Sequence, residues 1–213
     1  MDTNPDTAST ASTTVAPRPR GPLTMAYARI EVPDLAASVA WYRYHVGLVP
    51  VLDDGERAML RHGTPHHSLE LVSAPFRDEA LTTALGFTVE SSEVLDALRD
   101  RVEAAGFAVG PLADSVKQLC LGGFSVVDPN GLVIELLVGF QEYAEVPVEE
   151  LLPVDLVHPF LSTARFEDTY HFYVDVLGFL ASDHIVGSTS FLRCEDRYHH
   201  SLALRRDKSF FVA

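Results

Sequence analysis

The chain writes one short phrase twice. Residues 65–72 read PHHSLELV and residues 197–204 read RYHHSLAL, so His66-His67-Ser68-Leu69 returns 133 residues later as His199-His200-Ser201-Leu202. Upstream, WYRYHVGL at 41–48 is echoed by FYVDVLGF at 172–179, 131 residues on. A repeat on this scale constrains the architecture more than any bulk property. Each copy must be one supersecondary unit that buries its apolar face against a neighbour.

The units can be read element by element. YARIEVPDLAASVAWY (27–42) and HPFLSTARFEDTYHFY (158–173) each read as a short strand, a polar break and a helix. Pro33-Asp34 and Ser162-Thr163 supply turn and N-cap chemistry, and Gly47 and Gly178 close the helices. Three strand-like runs follow: VPVLDD, ERAMLRHG and HHSLELV in the first copy, FLASDHI, STSFLRCE and HHSLALR in the second. A stretch over 84–138 has the same order. There ALGFTVE reads as a strand, and Val94, Leu95, Leu98 and Val102 mark a helix ended by Gly106. The runs FAVG, VKQLCLGG, FSVVDPNG and LVIELLVG follow as strands, with Asp128-Pro129-Asn130-Gly131 as the turn between the last two. The expected fold class is therefore α+β, built from three βαβββ units at about 25–75, 82–140 and 154–210. The expected organisation is a flexible Ser/Thr/Pro-rich tail over 1–24, a two-unit domain over 25–140, an acidic linker over 141–153 and a half-domain over 154–213.

Charge and composition exclude whole classes of function. A net charge of −14 repels a phosphate backbone, so no nucleic-acid partner is expected. No apolar run approaches the ~20 residues of a membrane helix, and the N-terminus has no secretory pattern, so no membrane partner and a cytoplasmic location are expected. Cys120 and Cys194 sit in strand-like runs with no cysteine neighbour, which points to buried free thiols.

The VPDLAASVAWYRYHVGL start, the FSVVDPNGLVIELL hairpin and their partial repetition resemble the vicinal oxygen chelate superfamily: glyoxalase I, bleomycin-resistance proteins and type I extradiol dioxygenases. The resemblance covers residues 25–210 and implies paired units forming cup-shaped mixed sheets, with the third unit unpaired. LVHPFLSTARFEDTYHFYVDVLGF followed by RYHHSLAL resembles the catalytic domain of the extradiol dioxygenases. That resemblance implies an iron(II) cofactor, with manganese(II) as the variant, held only weakly by this chain because His158 is one of three protein ligands, and a small aromatic diol and dioxygen as substrates. It places His158 at the first iron-ligand position and His200 at a second-sphere acid–base position. A two-histidine, one-carboxylate set leaves iron(II) open positions for diol and oxygen, and a histidine titrating near neutrality can take and return a phenolic proton.

Each residue also has a plainer reading. A histidine at a strand start is structural when nothing else is known of it, and the first unit has Tyr27 where His158 stands. His67 corresponds to His200 but lacks ligand neighbours. Glu135 stands at a family carboxylate position, yet Tyr27 and Ala84 or a neighbour stand where the other ligands would be, so it reads as structural or vestigial. His199 is expected on the strand face opposite His200, and His171 is expected to be a surface or packing residue. The family pattern continues with a fourth unit carrying the second histidine and the carboxylate, about 70 residues beyond the sequence given. Three readings stay open: a C-terminally truncated dioxygenase, a chain completed by another chain, or an inactive relative whose first domain binds a ligand. A metal-free binding module of the bleomycin-resistance kind is the alternative function. The exposed half-domain is expected to dock on the first domain, dimerise or aggregate, and a homo-oligomer is the expected assembly.

Overall fold

The structure, a computed structural model, describes residues 19–146, 153 and 155–206. The first unit runs β1 (Thr24–Val32), α1 (Leu35–Trp41), β2 (Val49–Asp53), β3 (Arg57–Arg61) and β4 (Leu69–Ser73). The second runs β5 (Leu81–Thr88), α2 (Ser92–Ala104), β6 (Val109–Gly110), a one-turn helix α3 (Asp114–Lys117), β7 (Gly122–Val127) and β8 (Val133–Val138). The third runs β9 (Phe160–Thr163), α4 (Phe166–His171), β10 (Leu180–Ile185), β11 (Thr189–Arg193) and β12 (Leu202–Arg206). Both α1 and α4 continue into a π-helical turn, Tyr42–Val46 and Phe172–Val176. Gly47 and Gly178, at φ 80° and 83°, turn the chain out of it.

Strands dominate, in two mixed sheets. The first has the order β2-β3-β4-β1-β5-β8-β7-β6 and the second β10-β11-β12-β9. β1 is parallel to β4, β5 to β8 and β9 to β12, and the first two units join where β1 meets β5 antiparallel. Alternation along β1 sends Ile30 and Val32 under α1, into a cluster with Leu35, Val39 and Leu60. It sends Tyr27 to the other face, where Leu112 and Val116 of the α3 segment cover it.

The third unit docks on the second; of its three expected fates, this is the one the structure displays. One apolar cluster takes Leu95, Leu98 and Val102 from α2 and Phe172, Tyr173, Phe179 and Leu202 from the third unit. Phe172 meets Phe107 at 4.8 Å and Phe179 meets Phe87 edge-on at 5.2 Å. The Asp128–Gly131 turn latches the same junction: Asn130 donates to Thr169 Oγ1 at 2.8 Å, and Tyr173 donates to Asp128 Oδ2 at 3.2 Å. Burial pushes up both the Asp128 carboxyl and the Tyr173 phenol.

Several local expectations need correction. Asp34 caps α1 by accepting from Ala37 N at 2.9 Å, but Ser162 and Thr163 are buried residues of β9, and the cap position of α4 is Arg165. VKQLCLGG (116–123) is not one strand: Val116 and Lys117 end α3, a turn follows, and only Gly122 and Gly123 enter β7, with Val116 packed over Tyr27. Cys120 is accordingly only half-buried, whereas Cys194 is buried and its thiol pushed up by burial. Both His-His pairs precede their strands, so strand alternation does not separate His199 from His200. Residues 19–24, expected in the tail, are packed: Leu23 N donates to Thr88 O at 2.7 Å and Pro22 O accepts from Glu195 N at 2.9 Å. Residues 141–146, expected in the linker, return to the first unit, where Tyr143 N donates to Thr64 O at 2.7 Å. The remaining tail residues 1–18, the linker residues 147–152, and residues 154 and 207–213 of the half-domain lie outside the described residues.

Candidate functional site

Strand register puts the two predicted site residues together. Phe160 lies opposite Ala203, so His158, two residues earlier, falls level with Ser201 and next to His200. The imidazole centroids of His158 and His200 are 4.1 Å apart. Phe191, on β11, stands 4.9 Å from the His200 ring and forms an aromatic wall. His199 is edge-on to His200, and their Nδ1 atoms are 3.1 Å apart. Desolvation lowers the pKa of His158. Desolvation, then His158, then His199, lowers that of His200. Both imidazoles are thus neutral at pH 7 and able to accept a proton or a metal.

Two residues that sequence reasoning missed tether this pair. Asp155, three residues before His158, accepts from the hydroxyl of Tyr198, two residues before His200. The other oxygen of Asp155 lies 3.4 Å from His62 Nε2, and His62 Nδ1 meets Ser68 Oγ. The lead-in segments of both histidines are therefore tied to each other and to the first unit. An acid and a tyrosine flanking the motif were visible in the sequence, but their pairing across the fold was not. His171, the surface candidate, is indeed exposed and pairs with Asp175 at 2.7 Å.

The first unit repeats the ring pair with a different outcome. Ala28 lies opposite Leu69, so Tyr27 falls level with Ser68 as His158 does with Ser201. The Tyr27 and His67 rings are 4.8 Å apart. Tyr27 donates to Glu135 Oε2 at 2.6 Å, and Ala113 N donates to Oε1 at 2.8 Å. Arg29 bridges the two carboxylates, with Nε 2.5 Å from Glu70 and Nη2 3.0 Å from Glu135. Desolvation, then Glu135, raises the Tyr27 phenol well above its usual value, so it stays a donor. Gly86 lets the Tyr27 ring lie flat on β5, since a Cβ there would come within 2.2 Å of it. Strand register sets Gly86, two residues after Ala84, between Tyr27 and Glu135, and neither Ala84 nor Gly86 has a side-chain donor atom. His67 is fully buried, its Nε2 has no partner among the described residues, and burial holds its pKa near 3. A guanidinium thus stands between the carboxylates where a metal would need to be. This face does not fit a metal, in keeping with the structural reading of Glu135.

The third unit does not assemble a full ligand set either. Ala203 stands at the position of Glu70, and among the described residues no group of three or more His, Cys, Asp or Glu is placed to hold a metal ion. Among those residues no helix is long and apolar enough to cross a membrane.

Comparison with known proteins accords with this duplicated geometry. The chain superposes on the Mn(II)-bound glyoxalase of Novosphingobium aromaticivorans with a TM-score of 0.76 and 29% identity, covering 88% of this chain and 62% of that one. The 2,3-dioxygenase LapB of Pseudomonas sp. KL28 gives 0.73 at 20% identity, covering 90% and 73%. Homoprotocatechuate 2,3-dioxygenase of Arthrobacter globiformis gives 0.73 at 24% identity, covering 90% and 61%. The chain thus spans about three-fifths of the glyoxalase's length. No curated protein sequence matches it. The Glyoxalase/Bleomycin resistance protein/Dioxygenase superfamily profile matches residues 24–136, more than half of the chain, and the chain belongs to that superfamily.

Proposed function

We propose that the third unit carries part of an extradiol dioxygenase-type site that takes a small aromatic diol and dioxygen, with His158 at a metal-ligand position and His200 as the acid–base group. The observation that carries this reading is the His158–His200 pair, 4.1 Å apart on the same register that sets Tyr27 beside His67. The third unit keeps imidazoles where the first has closed its site with a tyrosine. Likeness to metal-dependent neighbours supports a divalent metal, iron(II) or manganese(II), which in such chemistry would hold diol and dioxygen together. The described residues fall short of a ligand set for it, so the steps assigned to this chain are binding and proton transfer. Phe191 offers an aromatic face to the diol ring. His200, neutral and with Nδ1 turned to His199, has Nε2 left to take a hydroxyl proton. Asp155 and Tyr198 hold the two histidines in place.

The test uses the protein with iron(II) in excess, since an incomplete ligand set holds the metal only weakly. Catechol binding is read anaerobically by calorimetry, ring cleavage in air by the yellow product, and metal content by elemental analysis. His158→Ala should lose metal and metal-dependent catechol binding together. His200→Ala should keep both and lose cleavage by about a hundredfold or more, the usual contribution of a general acid–base group. Full metal and full activity in His158→Ala, or no catechol binding by the unaltered protein, would overturn the reading.

A further inference from the structure

The first copy of the repeated phrase is joined to the second by a line of side chains. Ser68, in PHHSLELV, is buried and its backbone is fixed on both sides: its N–H donates to Leu60 O at 2.8 Å, and its carbonyl accepts from Ala28 N at 3.0 Å. Its hydroxyl meets Nδ1 of His62, a buried residue just past the end of β3. His62 Nε2 reaches out of the first unit to Asp155 Oδ1 at 3.4 Å, and Asp155 Oδ2 accepts from Tyr198, in RYHHSLAL.

The acceptor at the end of this line sets the protons along it. A carboxylate only accepts, so His62 Nε2 carries the imidazole proton and Nδ1 accepts from the Ser68 hydroxyl. Burial lowers the pKa of His62 against the opposing pull of Asp155, in keeping with a neutral ring. The counterpart serine is used differently. Ser201 donates to Asp196 Oδ2 at 3.2 Å and accepts from Cys194 N at 3.1 Å, so these bonds stay inside the third unit. The first copy turns the same hydroxyl outward, through His62, to the other copy.

Burial along the line is uneven. The Asp155 side chain is 34% exposed and that of His62 is 7% exposed. The two meet at the edge of a cleft of about 540 Å³ that Thr24, Met25, Thr64 and Pro65 also line. With open space beside it, the Asp155 carboxylate is oriented by hydrogen bonds more than by packing. Leu156 N donates to Oδ1 at 2.8 Å, but Leu156 belongs to the same lead-in segment and moves with it. His62 is the anchor set in the first unit.

We infer that His62 is a positioning residue for the His158–His200 pair, acting through Asp155 and Tyr198, so that the first unit, whose own face does not fit a metal, supports the site of the third. What the pair does rests on the dioxygenase-type reading above; how it is held rests on this geometry. A small displacement of an acid–base group costs rate steeply, which is why a residue outside the site can matter to it.

Two substitutions separate the link to Asp155 from the packing of His62. In His62→Asn the amide stands near the place of Nδ1, keeps a partner for Ser68 and falls short of Asp155. In His62→Gln the amide extends towards the place of Nε2 and can donate to Asp155. The first readout is the imidazole resonances of His158 and His200 in the full chain with no metal added. They should shift and broaden in His62→Asn and return close to the parent's in His62→Gln. Asp155→Ala, at a half-exposed side chain, should match His62→Asn, and adding His62→Asn to it should change nothing further. The second readout is catechol cleavage with iron(II) in excess, where His62→Asn should lose about tenfold or more and His62→Gln should recover most of it. Unchanged resonances in His62→Asn, a glutamine variant no closer to the parent than asparagine, or further change on adding His62→Asn to Asp155→Ala overturns the inference. These metal-free spectra decide it by themselves; failure of the dioxygenase-type reading is seen separately, as absence of catechol binding by the unaltered protein.

Discussion

Replacing Arg29 by methionine tests whether the first pair of units is held by an internal cation in place of a metal. The side chains of Glu70 and Glu135 are each 1% exposed and that of Arg29 is 14% exposed. Methionine keeps most of the volume and removes the charge. Among the described residues, two carboxylates would then share a buried site with the Tyr27 hydroxyl, the Ala113 amide and the more distant Arg57, 3.9 Å from Glu70, for company. Breaking a buried ion pair from one side costs about 3–5 kcal/mol, because the remaining charge is uncompensated. For a domain of this size that corresponds to a fall in Tm of about 6–20 °C. Arg29→Lys keeps the charge but loses the fork that spans both acids, so a smaller loss of about 1–2 kcal/mol is expected. The triple change Arg29→Met, Glu70→Gln, Glu135→Gln removes all the charges and should recover much of the loss. Urea denaturation followed by far-ultraviolet circular dichroism measures all three. If Arg29→Met lay within about 1 kcal/mol of the parent, buried charge would not be the organising term here and the reasoning would fail.

Three further outcomes follow from the same geometry. His67, fully buried with a pKa held near 3 by burial, favours the neutral form in the folded state. Its unfolded value lies near 6.5, so the folded chain binds fewer protons between those values; its stability is complete above about pH 6.5 and drains away towards pH 3, by up to about 5 kcal/mol. Urea titrations at pH 7 and pH 4.5 should show that slope, and His67→Phe should flatten it. Phe172→Ala opens a cavity between the third unit and α2, with a loss of about 3–5 kcal/mol and faster proteolysis of the third unit before the first two. Tyr198→Phe should leave global stability within about 1 kcal/mol, the worth of one exposed hydrogen bond, while loosening the His158 and His200 rings, seen as broadened imidazole resonances.

Much of the architecture was written locally. The three βαβββ units, the glycines that end the helices and the Asp128–Gly131 turn depend on periodicity and backbone preference within a few residues, which a sequence displays directly. The repeat carried the site one step further. Offsets near 131 and 133 made His158 and His200 the counterparts of Tyr27 and His67, and strand pairing then sets each pair side by side. What only the tertiary structure decided is whatever depends on which strands become neighbours. Tyr27 and Glu135 are 108 residues apart in sequence and 2.6 Å apart in the fold. They meet across β5, the single strand between β1 and β8, and Arg29 joins them because alternation puts it on the same face. VKQLCLGG reads as a strand because the single turn of α3, which ends at Lys117, leaves too little periodicity to recognise; Val116 packs over Tyr27 only in the fold. The docking of the third unit on α2, and the Asp155–Tyr198 tether beside the histidines, likewise arise from surfaces that meet only once the sheets have formed. A sequence lists the donors and the apolar faces; their partners are chosen by strand order and by the burial that makes unpaired charge costly.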